Sequence, residues 1–347
     1  MTEAASMPDH TLAAPLAGCI AERFGLGRVL SCQQIPQGLM NPNWRMTTTT
    51  GSYAIKQLHD RPAETVRDVH QVLPRLAEHG IPVPLPRTTT QGDTVLGLNG
   101  QWYSASDWLP GTHLHGHDLT MTACAQLGEL IGRLHDALAS VLPEAPERLL
   151  DRPTGVGEAR ARLENYARAA SSAGDNFDEL ARREIRQRHA LLDRVADRQP
   201  PAGEIGPAGW THGDLQPLNI LIDPSTAQVS AILDWDRLET RGYAAEIVRT
   251  ATIWFTDTGT GALDLDRIAA FIHGYRTRRS ISDEQLLDAS QRRWWHLLTG
   301  TWQLRLHYEQ HDRGCDHLLF SDGRLLRWWL TRTEAVNTAL TASTAPR

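Results

Sequence analysis

Cysteine is scarce in this sequence. Its four cysteines (Cys19, Cys32, Cys124 and Cys315) lie far apart, with no Cys-x-x-Cys pair. That argues against a zinc site or a disulfide framework and fits a reducing cytoplasm. Long apolar runs are lacking as well. None approaches the ~20 residues that a membrane-spanning helix needs, so no membrane partner is expected. The N-terminus, Met1 to Gly18, carries Glu3 and Asp9 and has no basic segment ahead of its apolar stretch, unlike a secretory signal. Positive charge is not in excess either: the net charge of −6 and pI near 6.2 give no footprint for nucleic acid. No internal repeat is found. At 347 residues the chain is too long for one small core and suits two lobes.

The pattern along the chain changes character near residue 110. A short helix is expected near Leu12–Phe24. Residues 28–58 then alternate as two or three antiparallel strands, broken at Gly38 and at Gly51-Ser52. Val66, Val69, Val72, Leu73 and Leu76 recur at helical spacing after Pro62, and Gly80 and Pro82 stop them. Residues 94–98 and 101–107, separated by Asn99-Gly100, read as a hairpin. Beyond Pro110-Gly111 helices are expected over Thr120–Leu138, twice within 155–198, and over 243–256, 263–278, 283–310 and 322–340. Residues 199–209, with two prolines in a row and glycines, read as a loop. The result is an α+β chain with an antiparallel-sheet N-lobe, residues 1–108, and a mainly helical C-lobe, residues 109–347.

Chemistry concentrates in His212-Gly213-Asp214-Leu215-Gln216-Pro217-Leu218-Asn219 and in Asp234-Trp235-Asp236. This is the layout of a phosphoryl-transfer site. Asp214 can align an acceptor hydroxyl, while Asn219 and Asp234 can hold magnesium on a nucleotide's phosphates. The short strands Ile220–Ile222 and Val229–Leu233, joined by Asp223-Pro224-Ser225, would bring the two metal residues close. Mg²⁺ takes oxygen ligands and keeps several waters, so one amide oxygen and one carboxylate suffice beside phosphate oxygens. Asp214 could instead be a turn or N-cap aspartate, and Asn219 a turn amide. Asp236 is open between a supporting carboxylate and a surface role. His212 is expected to pack the loop and bond backbone near the metal segment.

HGDLQPLNILID followed by VSAILDWD resembles the catalytic and metal loops of the aminoglycoside phosphotransferase and choline kinase superfamily, small-molecule kinases of protein-kinase-like fold. Tyr53-Ala54-Ile55-Lys56 resembles the family's lysine-bearing strand. Gly80-Ile81-Pro82-Val83-Pro84 resembles the turn after its first helix, and Trp108-Leu109-Pro110-Gly111 the hinge between lobes. The likeness runs through residues 25–260 in the correct order and feels nearest to the type II homoserine kinase and amino-sugar kinase branch. It implies a bilobal α+β fold, ATP or GTP as co-substrate, Mg²⁺, and a small-molecule hydroxyl acceptor. Lys56 would then reach the α- and β-phosphates. Gly38 would lie in the phosphate-covering loop with Asn43 bracing it, and backbone near Asp107 and Trp108 would meet the adenine. Lys56 usually has a glutamate partner on the next helix. Here that helix reads Arg67-Asp68-Val69-His70, which leaves Glu64 as the leaning choice and Asp68 as the other. Gly213 stands where many protein kinases carry arginine, which argues against phosphorylation control and a protein substrate.

The acceptor is less legible. Trp254, Trp294, Trp295, Trp302, Trp328 and Trp329 could wall a ring or an amine, but their helical spacing favours core packing. From residue 260 onward ten acidic residues face twelve arginines, with none of the acidic excess that would suit a polycationic aminoglycoside. A sugar, an amino alcohol or a natural-product hydroxyl is the favoured acceptor class, with antibiotic inactivation as the alternative. A catalytically inactive kinase-fold binding protein is the competing reading of another class.

Overall fold

The computed structural model describes residues 12–35, 41–172 and 174–342. Gly38, expected in a phosphate-covering loop, lies outside them. The chain divides into two compact units. One comprises Met1–Leu114, Asp136–Pro143 and His212–Leu238; the other comprises His115–His135, Glu144–Thr211 and Glu239–Arg347. Among the described residues no helix is long and apolar enough to cross a membrane.

The first unit opens with helix α1 (Ala14–Arg23), which Pro15 starts at a position where its missing N–H costs nothing. Strands β1 (Val29–Ile35), β2 (Asn43–Thr48) and β3 (Ser52–Leu58) follow, then α2 (Ala63–Glu78), β4 (Val95–Leu98) and β5 (Gln101–Asp107). The strands form one antiparallel sheet in the order β1-β2-β3-β5-β4. Alternation decides its faces. Trp44, Met46, Tyr53 and Ile55 are buried in one core with Ile20, Ala21 and Phe24 of the α1 region. Lys56, one residue past Ile55, therefore projects from the opposite face, opposite Asn43 on β2 and Ser104 on β5. In α2 the expected stripe, Val66, Val69, Val72, Leu73 and Leu76, is buried.

The second unit is mainly helical. The long helix α3 (Met121–Val141) runs through the boundary. It is followed by β6 (Leu149–Asp151), α4 (Val156–Ser172), α5 (Asn176–Val195), β7 (Gly203–Ile205) and β8 (Ala208–Thr211). Segment 212–238, which belongs to the first unit, contains the antiparallel pair β9 (Ile220–Ile222) and β10 (Val229–Ile232). Strand β11 (Glu239–Gly242) then pairs with β8, Thr211 opposite Glu239, so both ends of that segment are pinned side by side. The helices α6 (Tyr243–Trp254), α7 (Leu265–Arg278), α8 (Asp283–Thr299), α9 (Trp302–Gln310), α10 (Asp316–Leu330) and α11 (Thr333–Thr341) complete the chain. Helices α3 and α7 cross so closely that a Cβ on Gly128 would lie 2.0 Å from the Phe271 carbonyl oxygen.

Three sequence expectations change. Residues 199–209 are not a simple loop, because β7 and β8 find partners in β6 and β11, which are distant in sequence. The helix expected over 283–310 breaks at Gly300, whose extended backbone ends α8 and whose carbonyl accepts from Arg188. The helix expected over 322–340 is likewise two, with a turn at Thr331 and Arg332. Most of the tryptophans follow the packing reading: Trp254, Trp294, Trp295 and Trp329 are buried, and the indole N–H groups of Trp294 and Trp295 donate to the carbonyls of Leu326 and Thr154, whereas Trp302 is exposed and Trp328 half-buried.

Candidate active site

The Asp214 loop and the Asp234 segment meet because His212 ties them. Its ring is fully buried; Nδ1 accepts the Asp214 backbone N–H at 3.2 Å, and Nε2 lies 2.9 Å from the Leu233 carbonyl. Both bonds are made at once only by the neutral tautomer with its proton on Nε2. Trp235 packs edge-on against the same ring and donates to the Ile232 carbonyl. Between His212 and Asp214 the chain turns through Gly213 at φ +82°, a conformation that glycine adopts without strain. Replacing His212 by Ala should cost roughly 1–3 kcal/mol for each group left unpartnered. It should also lower turnover, because the Asp214 loop loses its tether. Thermal unfolding and steady-state rates on one preparation check both; an unchanged rate would separate His212 from the site.

Asp214 is buried. The Asn219 amide nitrogen donates to its backbone carbonyl at 2.8 Å and lies 3.3 Å from its Oδ2. That fixes the carboxamide and directs Asn219 Oδ1 the other way. Arg237 Nε stands 3.9 Å from Asp214 Oδ2. The Asn219 carbonyl in turn accepts the Leu233 N–H at 2.8 Å, joining the end of β10 to the Asp214 loop. The next residue, Asp234, has a left-handed backbone (φ 59°). A non-glycine residue there stores strain, a feature that clusters at functional sites.

Lys56 lies between two carboxylates. Its Nζ is 2.7 Å from Asp234 Oδ1 and 2.5 Å from Asp236 Oδ2. Burial alone would lower the ammonium pKa, yet the two aspartates outweigh it and raise it above the ordinary lysine range. Of the acids, Asp236 is pushed up by burial and by its neighbour Asp234. Asp234 is held below the usual range: burial opposes this, but the charge and hydrogen bond of Lys56 prevail. Asn41 completes the surround. Its Nδ2 donates to Asp60 at 2.6 Å and approaches Asp236, its Oδ1 accepts the His59 N–H, and Asn43 braces its carbonyl. Lys56 is also the only lysine in a sequence otherwise basic through arginine. That signal alone could have marked it, since a compact point charge differs chemically from a guanidinium fork.

The residues expected from the sequence fall into groups. Asp214, Asn219, Asp234 and Lys56 lie in one compact unit and are linked through the bonds above. Glu64 is not the partner of Lys56 in this structure. It sits exposed on the first turn of α2, because the neighbouring Ala63 and Val66 take the buried phase of that helix. Asp68 is exposed too, and the residue of α2 that feels Lys56 is His70, which burial and the Lys56 charge lower to about 4. Asp107 pairs with Arg87, and Trp108 donates its N–H to the Ser52 carbonyl with the Arg45 guanidinium over its ring. Asp107 lies three rungs along the ladder from the Lys56 level, roughly 10 Å. The sequence does not single out His70 or Arg237 and offers Asn41 only as the end of the expected phosphate-covering loop, because the partners of each are brought by folding.

The donor set fits a hard divalent cation. Asn219 Oδ1 and the Asp234 carboxylate are oxygens, and two carboxylates, Asp234 and Asp236, flank the single ammonium of Lys56. Among the described residues no group of three or more His, Cys, Asp or Glu could hold a metal. A cation here would rely on these two residues together with oxygens from a phosphorylated ligand.

Comparison with known proteins agrees with the geometry. Residues 31–281 match the phosphotransferase enzyme family. Homoserine kinase from Methylobacillus flagellatus is 27% identical over 264 residues, which cover 76% of this chain and 75% of that protein. Homoserine kinase from Ralstonia nicotianae is 24% identical over 292 residues, covering 79% and 81%. Among solved structures, spectinomycin phosphotransferase in complex with ADP and spectinomycin superimposes with a TM-score of 0.62 at 16% identity, over 92% of this chain and 98% of that one. A microcompartment-associated aminopropanol kinase gives 0.57 at 15% identity, over 94% and 99%. These neighbours share the protein-kinase-like α+β fold.

Proposed function

The chain belongs to the phosphotransferase enzyme family, and from that premise we propose that it moves the γ-phosphate of ATP to a hydroxyl of a small molecule. One observation carries this reading: Asp214, Asn219, Asp234 and Lys56 are tied into a single centre by hydrogen bonds between neighbouring loops. Asp214 accepts a hydrogen bond from the acceptor hydroxyl and aims its oxygen at the γ-phosphorus. As that oxygen bonds to phosphorus and the bond to the β-phosphate oxygen breaks, the hydroxyl proton passes late to Asp214. Lys56 exchanges its aspartates for the α- and β-phosphates. Asn219 and Asp234 would hold Mg²⁺, which would neutralise phosphate charge there. Backbone at Asp107 and Trp108 would meet the base, Asp107 lying about 10 Å along the ladder from Lys56.

The acceptor is a neutral or zwitterionic alcohol, such as a sugar, an amino alcohol or a natural-product hydroxyl. The homoserine kinases among the relatives favour this class over a polycation, as does the absence of an acidic excess after residue 260. The test is a screen of hydroxylated metabolites and antibiotics with Mg-ATP, read by mass for the gain of one phosphate. A phosphorylated amino alcohol, sugar or hydroxy acid is the expected product. Nucleotide binding with no transfer to any compound would favour an inactive binding protein instead.

A further inference from the structure

The first unit also holds a cleft whose lining includes none of the residues assigned above to nucleotide, metal or acceptor. It lies at β4, an edge strand of the sheet, with Arg23 at the end of α1 and Arg67 on α2 beside it. Its volume of about 180 Å³ exceeds the roughly 150 Å³ of an apolar protein cavity that takes up benzene, so one ring fits. Trp102 on β5 is 42% exposed there. It pairs across the ladder with Gly97, and a Cβ on that glycine would lie 2.7 Å from the indole Cζ3. Lacking a side chain, Gly97 lets the ring lie over the strand. The Arg67 guanidinium carbon stands 5.4 Å from the centre of the same ring. The buried Val95 and Leu96 add apolar surface to the cleft.

The acceptors of this cleft are spent inside the protein, while its donors are not. Asp93 is the one carboxylate among the described residues that line it. Its Oδ1 accepts from Arg67 Nε at 2.9 Å and from the Val95 N–H at 3.0 Å, and its Oδ2 accepts from Arg67 Nη2 at 2.9 Å. The Arg67 hydrogen bonds hold its carboxyl below the usual range, so it stays charged and committed. Arg67 Nη1 and the whole Arg23 guanidinium have no partner among the described residues. Thr89, 9% exposed, accepts the Asp93 N–H at its Oγ1 and gives its own hydroxyl proton to no group among them. Glu64 also acts on Arg67, but from an exposed position outside the lining. Two guanidinium groups therefore outnumber one engaged carboxylate. Surplus donors with positive charge call for an anion, whose oxygens the planar fork of arginine matches. An open indole face calls for a flat, apolar body.

We propose that this cleft is a second ligand site, one that binds a small aromatic carboxylate: the carboxylate meets Arg23, Arg67 Nη1 and the Thr89 hydroxyl, and the ring stacks on Trp102. The site is separate from phosphate transfer and does not depend on that reading. The test uses the full chain without nucleotide and follows its indole N–H signals by NMR; the Trp102 signal is the one lost in Trp102→Phe. Benzoate is the probe, with benzamide as its uncharged twin and acetate as the charge without the ring. Benzoate should shift the Trp102 signal saturably and bind at least about tenfold more tightly than either control, the scale of one charge-assisted hydrogen bond. Arg23→Gln, at an exposed position, should cut the preference over benzamide by at least about threefold. Gly97→Ala puts a methyl group against the indole and should weaken benzoate and benzamide alike. Thermal unfolding checks both variants, and Arg23→Gln decides alone if Gly97→Ala does not fold.

A Trp102 signal that stays in place at every benzoate concentration would overturn the site. So would benzamide or acetate binding as tightly as benzoate, or a preference for benzoate that Arg23→Gln leaves unchanged. Loss of phosphate transfer from any cause bears on Asp214 and its neighbours and leaves this site untouched.

Discussion

Asp214→Asn should abolish phosphate transfer, lowering turnover by about 10²–10⁴-fold, the range that positioned general acid–base groups contribute. The substitution is nearly isosteric, so the loop bonds from Asn219 Nδ2 and from the Asp214 N–H to His212 Nδ1 use backbone atoms and persist. An amide in place of the carboxylate cannot take the acceptor proton and can present an N–H where an acceptor lone pair is needed. Mg-nucleotide affinity should change by less than about threefold, since Asp214 is assigned to neither metal nor phosphate; calorimetry reads that affinity and single-turnover assays the rate. Turnover at the wild-type rate would remove Asp214 from its role.

Asp234→Ala should act on binding first. The variant loses one of the two protein ligands assigned to the cation and one of the two carboxylates at Lys56, leaving Asp236 as the ammonium's partner. Lys56 stays charged. Nucleotide affinity in the presence of magnesium should fall by at least about tenfold, toward the magnesium-free value of the wild type, because perturbing even outer-shell metal partners costs about 10–100-fold. Titrations with and without magnesium on both proteins check this, and identical curves would count against it. Asp234→Ala thus separates from Asp214→Asn in kind: one loses metal-dependent binding, the other loses turnover with binding retained.

What the sequence revealed follows from how local each feature is. That Asp214, Asn219 and Asp234 come together was legible because the spacing places Asp214 and Asn219 within one short loop and Asp234 just after a hairpin, so few distant contacts were needed. The α2 stripe was legible for the same reason. The partner of Lys56 was not: helical phase turned Glu64 to solvent, and the ion pairs came from residues nearly two hundred positions away. The strands β7 and β8 looked like loop because their pairing residues are remote.

The central claim, that these two loops form one cation-gripping phosphate-transfer centre, meets its most direct test in a crystal structure with Mg²⁺ and a non-hydrolysable ATP analogue. The cation should lie about 2.0–2.1 Å from Asn219 Oδ1 and from an Asp234 carboxylate oxygen, with Lys56 moved onto the phosphates and Asp214 facing the γ-phosphate. A bound nucleotide whose metal touches neither Asn219 nor Asp234 would contradict the account.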